Sequence, residues 1–435
     1  MATQVCHNLH HDTNDNNISN NNNNNNSRRS SMHSFAGIES PGAKLSRSLG
    51  SILRHFHHPI PTSPSNSHPL FNGSNHTFDQ VDRLESKYGP YIKPIDKKKH
   101  LGGNKKNVAS GATAVIRLVQ PRDGSPILAV KEFIKKDKNE DERAYRKRMQ
   151  NEYCISKSAS GHPHVVETKD LVLDEHNRWC TVMEYCAGGD LFSLLEERPT
   201  LSIMEQSCLF KQLLLGLQHL HKLGIAHRDI KPENLVMTTG GTLKIADFGV
   251  ADVVQTCFEK EAHLCHEWCG SENFWSPEMW TLTSAQDPYD GRALDIWSAA
   301  VTYYCIRFHS LPFKCSFYRA PTMKHAVPGS PAMVAAQAED HGDKGYQQYL
   351  DQRQKDLLQC HLWLGPSQET SNNEGLSMEI RSCLAHLLDP DPKQRWTVDQ
   401  ALDCDWMNNV EMCDDGELPN GWRHYHCAHK IRNFY

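Results

Sequence analysis

No apolar run in this chain is long enough to cross a bilayer. Spanning needs roughly 18 residues with few charges, and the longest apolar stretch, around Ile296–Ile306, falls short. An integral membrane segment is therefore not expected. The opening residues, MATQVCHNLHHDTNDNN, lack the apolar stretch of a secretory leader. Basic charge is not concentrated either. The formal net charge is −5, which argues against nucleic acid as a partner. The 15 cysteines are scattered and odd in number. A disulfide-stapled secreted fold is excluded on that pattern, and a reducing, cytoplasmic setting with free or buried thiols is expected. Hydrophobic residues make up only 38 % of the 435 residues, below a compact-domain average, so part of the chain is not expected to pack. No internal repeat is visible.

The unpacked part comes first. Residues 1–85 include Asn14–Asn26, almost pure asparagine, then Ser-, Arg-, His- and Pro-rich sequence. Such a stretch cannot bury enough apolar surface to offset its ordering entropy, so it is expected to be disordered. From Lys87 the composition changes. Val115–Val119 and Ile127–Phe133 are β-branched runs around the turn signal Pro121-Arg122-Asp123-Gly124, which predicts two antiparallel strands. A charged helix is predicted over about 140–158. Tyr145, Met149, Glu152 and Ile155 share its apolar face, so Glu152 points inward and needs a cation. Lys131, at the end of the second strand, is the candidate.

Trp179–Cys186 reads as a strand entering Gly188-Gly189-Asp190. Ser202-Ile203-Met204-Glu205 is a capping box, and Leu209, Leu213, Leu217 and Leu220 continue one helical face to Gly224. Asp295–Phe308 is apolar all round and predicts a buried central helix. Leu376–Leu388 and Thr397–Met407 predict two later helices. Residues 314–345 read as an inserted loop.

Three strings carry the chemistry: Ala129-Val130-Lys131, His227-Arg228-Asp229-Ile230-Lys231-Pro232-Glu233-Asn234, and Asp247-Phe248-Gly249. Asp229 is the candidate base for a hydroxyl proton. Lys231 can neutralise charge on a transferring phosphoryl group. Asn234 and Asp247 are hard oxygen ligands suited to Mg²⁺. An isolated Asp-Phe-Gly means little. Thirteen residues after an asparagine that itself follows His-Arg-Asp, it is specific.

This set resembles the eukaryotic protein kinase superfamily over about Lys87 to Met407. Ser276-Pro277-Glu278, Asp295-Ile296-Trp297-Ser298 and Arg395 add to the likeness, with Ser276 in place of the usual alanine. The resemblance implies an α+β, bilobal protein-kinase fold: a small antiparallel-β N-lobe with one helix and a larger, mainly α-helical C-lobe. The domain would span 86–407 (N-lobe about 86–185, C-lobe about 186–407), followed by a His/Cys-containing tail, 408–435. It further implies ATP and Mg²⁺ as cofactors. Lys131 would pair with Glu152 and hold the α- and β-phosphates. Val108–Ile116 stands where a glycine-rich lid belongs, but only Gly111 of the three glycines is present. Ala109, Gly111, Ala114 and Ile116 would then cover the nucleotide, with Ala129 beneath them. Met183 would wall the adenine pocket, Glu184 and Cys186 would offer backbone groups to adenine, and Asp190 would accept from ribose. For this last string an edge strand with a glycine turn fits locally just as well.

Lys231 and Gly270-Ser271 look like the serine/threonine branch. Gly111–Val119, Leu388–Arg395 and Asp405–Cys413 look like the fungal halotolerance and nitrogen-permease-reactivator kinases, whose members control plasma-membrane transporters. Protein substrates with Ser/Thr acceptors, transporter regulators among them, follow from that likeness. The alternative is a catalytically impaired pseudokinase scaffold, kept open by the missing glycines. Between Asp247 and Gly270 the one hydroxyl is Thr256. Glu259 or Glu261 could stand in for a phosphate at Arg228, so low dependence on loop phosphorylation is expected. Glu233 and Asp190 lie where similar enzymes face a basic residue upstream of the acceptor. Two Cys/His groups remain: Cys257, His263, Cys265, His266 and Cys269, then Cys404, Cys413, His424, His426, Cys427 and His429. Zinc takes such ligands, but the spacings are those of no known finger, and ordinary thiols and surface imidazoles are expected.

Overall fold

The alternation of residues along Leu128–Phe133 sets up the smaller lobe. Successive side chains of a strand point to opposite faces, so Ala129, Lys131 and Phe133 share one face while Val130 and Glu132 share the other. A computed structural model describes residues 81–92, 109–110, 114–133, 136, 141–198, 200–256, 258–318, 327–337, 342–366 and 375–426. The expected disordered head up to residue 80 lies outside these residues, as do Gly111, Cys257, Cys427 and His429.

Five antiparallel strands form the first sheet: β1 (Ala109–Ser110), β2 (Ala114–Val119), β3 (Leu128–Phe133), β4 (Thr168–Leu173) and β5 (Trp179–Glu184), in the order β1-β2-β3-β5-β4. On one face Val119, Val130, Val172, Cys180 and Val182 pack with Leu84 of α1 (Leu84–Tyr88). That helix straddles the boundary expected at residue 85. On the other face Phe133 packs against Tyr145 and Met149 of α2 (Glu142–Ala159). Asp141 caps α2 by accepting from the Arg143 N–H at 2.8 Å.

The larger lobe begins with β6 (Gly189–Asp190), α3 (Leu191–Glu197) and α4 (Ile203–Lys222). The capping box at Ser202 and Glu205 starts α4 as its sequence requires. Leu209, Leu213, Leu217 and Leu220 are buried in the main core. Each such side chain contributes about 1.5–3 kcal/mol relative to exposure. Short strands follow: β7 (Ile225–Ala226), β8 (Leu235–Met237), β9 (Leu243–Ile245) and β10 (Asp252–Val253). β6, β8 and β9 form one small sheet, and β10 pairs with β7. After α5 (Pro277–Trp280) comes α6 (Gly291–Phe308), which packs on α4. It starts four residues before the expected Asp295 because the Asp290 side chain caps it.

The inserted segment is not all loop. It holds α7 (Pro331–Gln337), and α8 (Lys344–Arg353) begins within it. Its ends are tied where the Asp343 carboxylate accepts from the Lys314 N–H at 2.6 Å. α9 (Met378–Leu387) follows. The single helix expected over Thr397–Met407 is two, α10 (Val398–Leu402) and α11 (Asp405–Asn408). Cys404 turns extended between them and acts as the cap of the second. No helix among the described residues is long and apolar enough to cross a membrane.

Arg395, its side chain fully buried, grips Glu278 with two bonds of 2.7 and 2.9 Å and also donates to the carbonyls of Ala293 and Asp389. Breaking a buried pair leaves an uncompensated charge. Arg395→Ala should therefore lose about 3–5 kcal/mol of stability in urea unfolding. Arg146→Ala, which breaks an exposed pair with Glu142, should cost no more than about 1 kcal/mol.

Candidate active site

The β register assembles one wall of a cleft. Ile116 pairs with Lys131, Lys131 with Thr181, and Ala129 with both Leu118 and Met183. Cross-strand partners share a face, so Ile116, Leu118, Ala129, Lys131, Thr181 and Met183 line the same side. Leu118 and Thr181 were missed by sequence reasoning, although the period of two could have found both once the register was known. The Thr181 hydroxyl is buried without a partner. Ala109 and Ala114 lie on β1 and β2 at the edge of this wall.

Lys131 is only 5 % exposed. Its ammonium donates to Glu152 Oε1 at 2.5 Å and to Asp247 Oδ1 at 2.8 Å. The inward turn of α2 thus delivers the expected carboxylate. Burial works against the lysine's charge, but Asp247 and Glu152 outweigh it and hold its pKa above the ordinary value. Burial raises Glu152, against the pull of Lys131. The Asp247 side chain is 40 % open to solvent. Burial alone would raise it; the Lys131 ammonium and the Gly249 N–H outweigh that and hold it at about 2.

The loop His227–Asn234 is fixed from below. Asp295, fully buried on α6, accepts from the backbone N–H groups of His227 at 2.8 Å and Arg228 at 2.7 Å. His221 Nε2 lies 3.0 Å from the same carboxylate. Phe248 is buried edge-on against the His227 ring. Arg228 and Asp247 both have left-handed backbones, φ 66° and 65°, a conformation costing roughly 1–2 kcal/mol for a residue with a Cβ. Such strain persists only where the surroundings impose it. For Arg228 those surroundings are Asp295 and the guanidinium's own bonds to the carbonyls of Val250 and His266 and to the Tyr289 hydroxyl. The carboxylate in ion-pair reach of Arg228 is Asp252, at 3.9 Å. Glu259 instead accepts from Thr256. The expectation that Glu259 or Glu261 fills a phosphate's place is therefore replaced by carbonyls and a tyrosine hydroxyl, which the spacing of the loop does not reveal.

Around Asp229 the side chains divide its two oxygens. Oδ2 accepts from Lys231 at 2.8 Å and from Asn234 Nδ2 at 2.9 Å. Oδ1 is buried with no hydrogen-bond partner. Lys231 also donates to Ser271 Oγ at 2.7 Å, a contact that the sequence, though marking both residues, does not reveal. Asn234 Nδ2 donates a second bond to the Asp229 carbonyl, which leaves its amide oxygen uncommitted by these bonds. Gly270, with φ 79°, passes so close that a Cβ would sit 2.3 Å from the Arg228 carbonyl. No other residue fits there.

At the far end of β5 the Glu184 N–H is taken by the Glu167 carbonyl, and its side chain by Lys244. Of its backbone groups only the carbonyl remains to face a ligand. Cys186 follows at the turn, its carbonyl accepting from Gly189. Asp190 Oδ1 caps α3 through the Ser193 N–H at 2.7 Å, so this carboxylate has a structural task beside any ligand it meets. Glu233 Oε2 is buried without a partner, and burial raises its carboxyl.

The protein kinase domain model matches residues 103–407. The chain is similar to serine/threonine-protein kinase hal4 of Schizosaccharomyces pombe, 36 % identical over 71 % of this chain and 43 % of that protein. It is 33 % identical to serine/threonine-protein kinase HAL4/SAT4 of Saccharomyces cerevisiae, over 71 % of this chain and 46 % of the other. It is 29 % identical to the nitrogen permease reactivator protein of the same yeast, over 74 % of this chain and 41 % of the other. The matched region spans less than half the length of these relatives.

The held-down carboxyl of Asp247 gives a pH test. Its ordinary value is 3.8 and its folded value about 2. A lowered carboxyl contributes stability that is complete above the ordinary value and lost as pH falls through the folded one. Unfolding free energy, followed by urea titration between pH 5 and pH 2, should fall less steeply in Asp247→Asn than in the wild type.

Proposed function

The chain belongs to the protein kinase domain family, and on that premise we propose that it is an ATP-dependent serine/threonine protein kinase. The observation that carries this reading is the divided carboxylate of Asp229. One oxygen is saturated by Lys231 and Asn234, and the other is buried without a donor. An unfilled buried acceptor is costly, and a substrate hydroxyl is the donor this chemistry would bring.

Asp229 accepts the proton of that hydroxyl as its oxygen bonds to the γ-phosphorus and the bond to the β-phosphate oxygen breaks. Lys231 balances charge on the transferred group. Lys131, oriented by Glu152, holds the α- and β-phosphates. The Glu184 carbonyl and the Cys186 N–H meet adenine beside Met183, with Ile116 and Ala129 lining the wall, Ala109, Gly111 and Ala114 in the lid, and Asp190 at the ribose. Asn234, through its amide oxygen, and Asp247 would hold Mg²⁺, which when bound would neutralise triphosphate charge. The donor set fits a hard cation, being all oxygen. Lys131 meets Glu152 and Asp247, and Lys231 and Asn234 meet Asp229, which supports turnover over the scaffold alternative.

The finer reading concerns substrates. One relative is named a nitrogen permease reactivator protein. By likeness to it, the targets here are regulators of plasma-membrane transporters, or the transporters themselves. The unpartnered Glu233 Oε2 suits a guanidinium, so arginine upstream of the accepted serine or threonine is favoured. Arg228 already has partners in the unphosphorylated loop, which supports activity without loop phosphorylation.

Asp229→Asn is expected to lower phosphate incorporation from ATP into a generic basic protein about 10²–10⁴-fold, while prior phosphatase treatment leaves the wild-type rate unchanged. In cells, phosphoproteomic comparison of the two forms should show lost sites on transporters or their regulators. Equal incorporation by both forms would overturn the kinase reading. In an arrayed peptide library the wild type should select arginine upstream, and Glu233→Gln should weaken that choice. Selection of proline or acidic residues instead would refute it.

A further inference from the structure

Sequence reading expects Cys413, His424 and His426 to be an ordinary thiol and surface imidazoles. The structure buries all three, at 6, 7 and 0 % exposure, and brings to them Cys208, fully buried on α4. Cys208 and Cys413 are 205 positions apart in sequence. Cys404 is not part of the group. Among the described residues this is the cluster whose ligand atoms, one from each side chain, all lie within 4.8 Å of one another.

We propose that Cys208, Cys413, His424 and His426 form a structural zinc site that fastens the tail to the larger lobe. The sulfurs are 3.6 Å apart, and Cys413 Sγ lies 3.4 Å from His426 Nε2. A tetrahedral zinc ion with Zn–S about 2.3 Å and Zn–N about 2.0–2.1 Å sets ligand edges of roughly 3.7 Å between sulfurs and roughly 3.5 Å from sulfur to nitrogen. All four ligand atoms lie within 4.8 Å of one another, and the sulfurs, like the Cys413–His426 pair, are spaced as edges of such a tetrahedron. They are too far apart for a disulfide, which needs about 2.05 Å between sulfurs.

The polar accounting points the same way. Both ring nitrogens of His424 and Nδ1 of His426 are buried with no hydrogen-bond partner. Buried polar atoms are rarely left so. A cation bound by His424 gives that ring a partner, while His426 turns Nε2 to Cys413 Sγ and its Nδ1 lies 3.8 Å from Glu205 Oε1. The surroundings favour thiolate. Gln212 donates its amide N–H to Cys208 Sγ at 3.3 Å and to Cys413 Sγ at 3.7 Å. That amide cannot turn around, because its oxygen accepts from the Leu243 N–H at 2.7 Å. The Cys413 backbone N–H adds a bond to Cys208 Sγ at 3.4 Å. These donors are the outer partners that orient and tune metal ligands. Thiolate and imidazole together select zinc over magnesium or calcium, which require oxygen. Four protein ligands leave no open position, so the site is structural and not catalytic.

What it fastens matters to the cleft. Beside the cluster, Asp415 Oδ1 accepts from Thr238 Oγ1 at 2.7 Å. Thr238 follows β8 in the hairpin that runs from Asn234 to Asp247. The tail therefore braces the hairpin joining those two residues. The zinc assignment does not rest on the catalytic reading.

Untagged full-length chain, purified under reductant and passed over a mild chelating resin, should carry about one zinc per chain by plasma mass spectrometry. Zinc-edge X-ray absorption on that sample should show both sulfur and imidazole nitrogen neighbours. Cys413→Ser should reduce zinc content roughly tenfold or more, and Cys404→Ser should not. If Cys413→Ser fails to fold, the wild-type absorption spectrum decides. Metal-free wild type from zinc-supplemented cells, a Cys208–Cys413 disulfide in its mass spectrum, or a zinc shell without sulfur would overturn the assignment.

Discussion

A lysine ammonium cannot be left alone in the interior of a protein, and Lys131 is almost wholly enclosed. Its two carboxylates come from distant parts of the chain, Glu152 on α2 and Asp247 beyond β9. Removing Glu152, buried with Lys131, costs several kcal/mol, typically about 3–5. This single cation therefore couples the sheet of the smaller lobe, the helix packed on it, and the loop that follows the β8–β9 hairpin. The geometry proposed for phosphate binding is the same geometry that electrostatics demands.

Beneath this junction Asp295 does for the backbone what Lys131 does for the carboxylates. A fully buried carboxylate also needs donors. It finds them in the N–H groups of His227 and Arg228 and in the ring of His221. The left-handed turn at Arg228 is thereby held against its own steric preference. The loop's polar side chains are then presented as a unit, with Lys231 and Asn234 on one oxygen of Asp229 and the other oxygen unclaimed. Both anchors are buried charges whose partners arrive from remote sequence, and the same holds for Arg395 with Glu278.

The tail extends that pattern. The tail expected over 408–435 reads as an appendage in sequence, yet within it Cys413 and Leu418 pack with Cys208 on α4 in a small cluster of their own. Asp415 meets the turn of the β8–β9 hairpin. Packing against the larger lobe therefore continues beyond the last helix.

Much was legible in the linear chain. Short-range physics decided the capping box at Ser202, the apolar stripe of α4, the inward face of α2 bearing Glu152, and the all-round burial of α6. Each depends on neighbours three or four positions away, or on a strand's period of two, and those spacings are written in the sequence. Local spacing also marked Asp229, Lys231, Asn234 and Asp247. Tertiary structure alone decided the rest: the left-handed φ of Arg228, the unclaimed oxygen of Asp229, Ser271 as the partner of Lys231, the break at Cys404, and the meeting of Cys208 with Cys413, His424 and His426. The turn at Arg228, the Ser271 partner and the cysteine–histidine cluster arise from contacts between residues tens to hundreds of positions apart. No periodicity encodes such a contact, because it exists only after the helices and strands have packed.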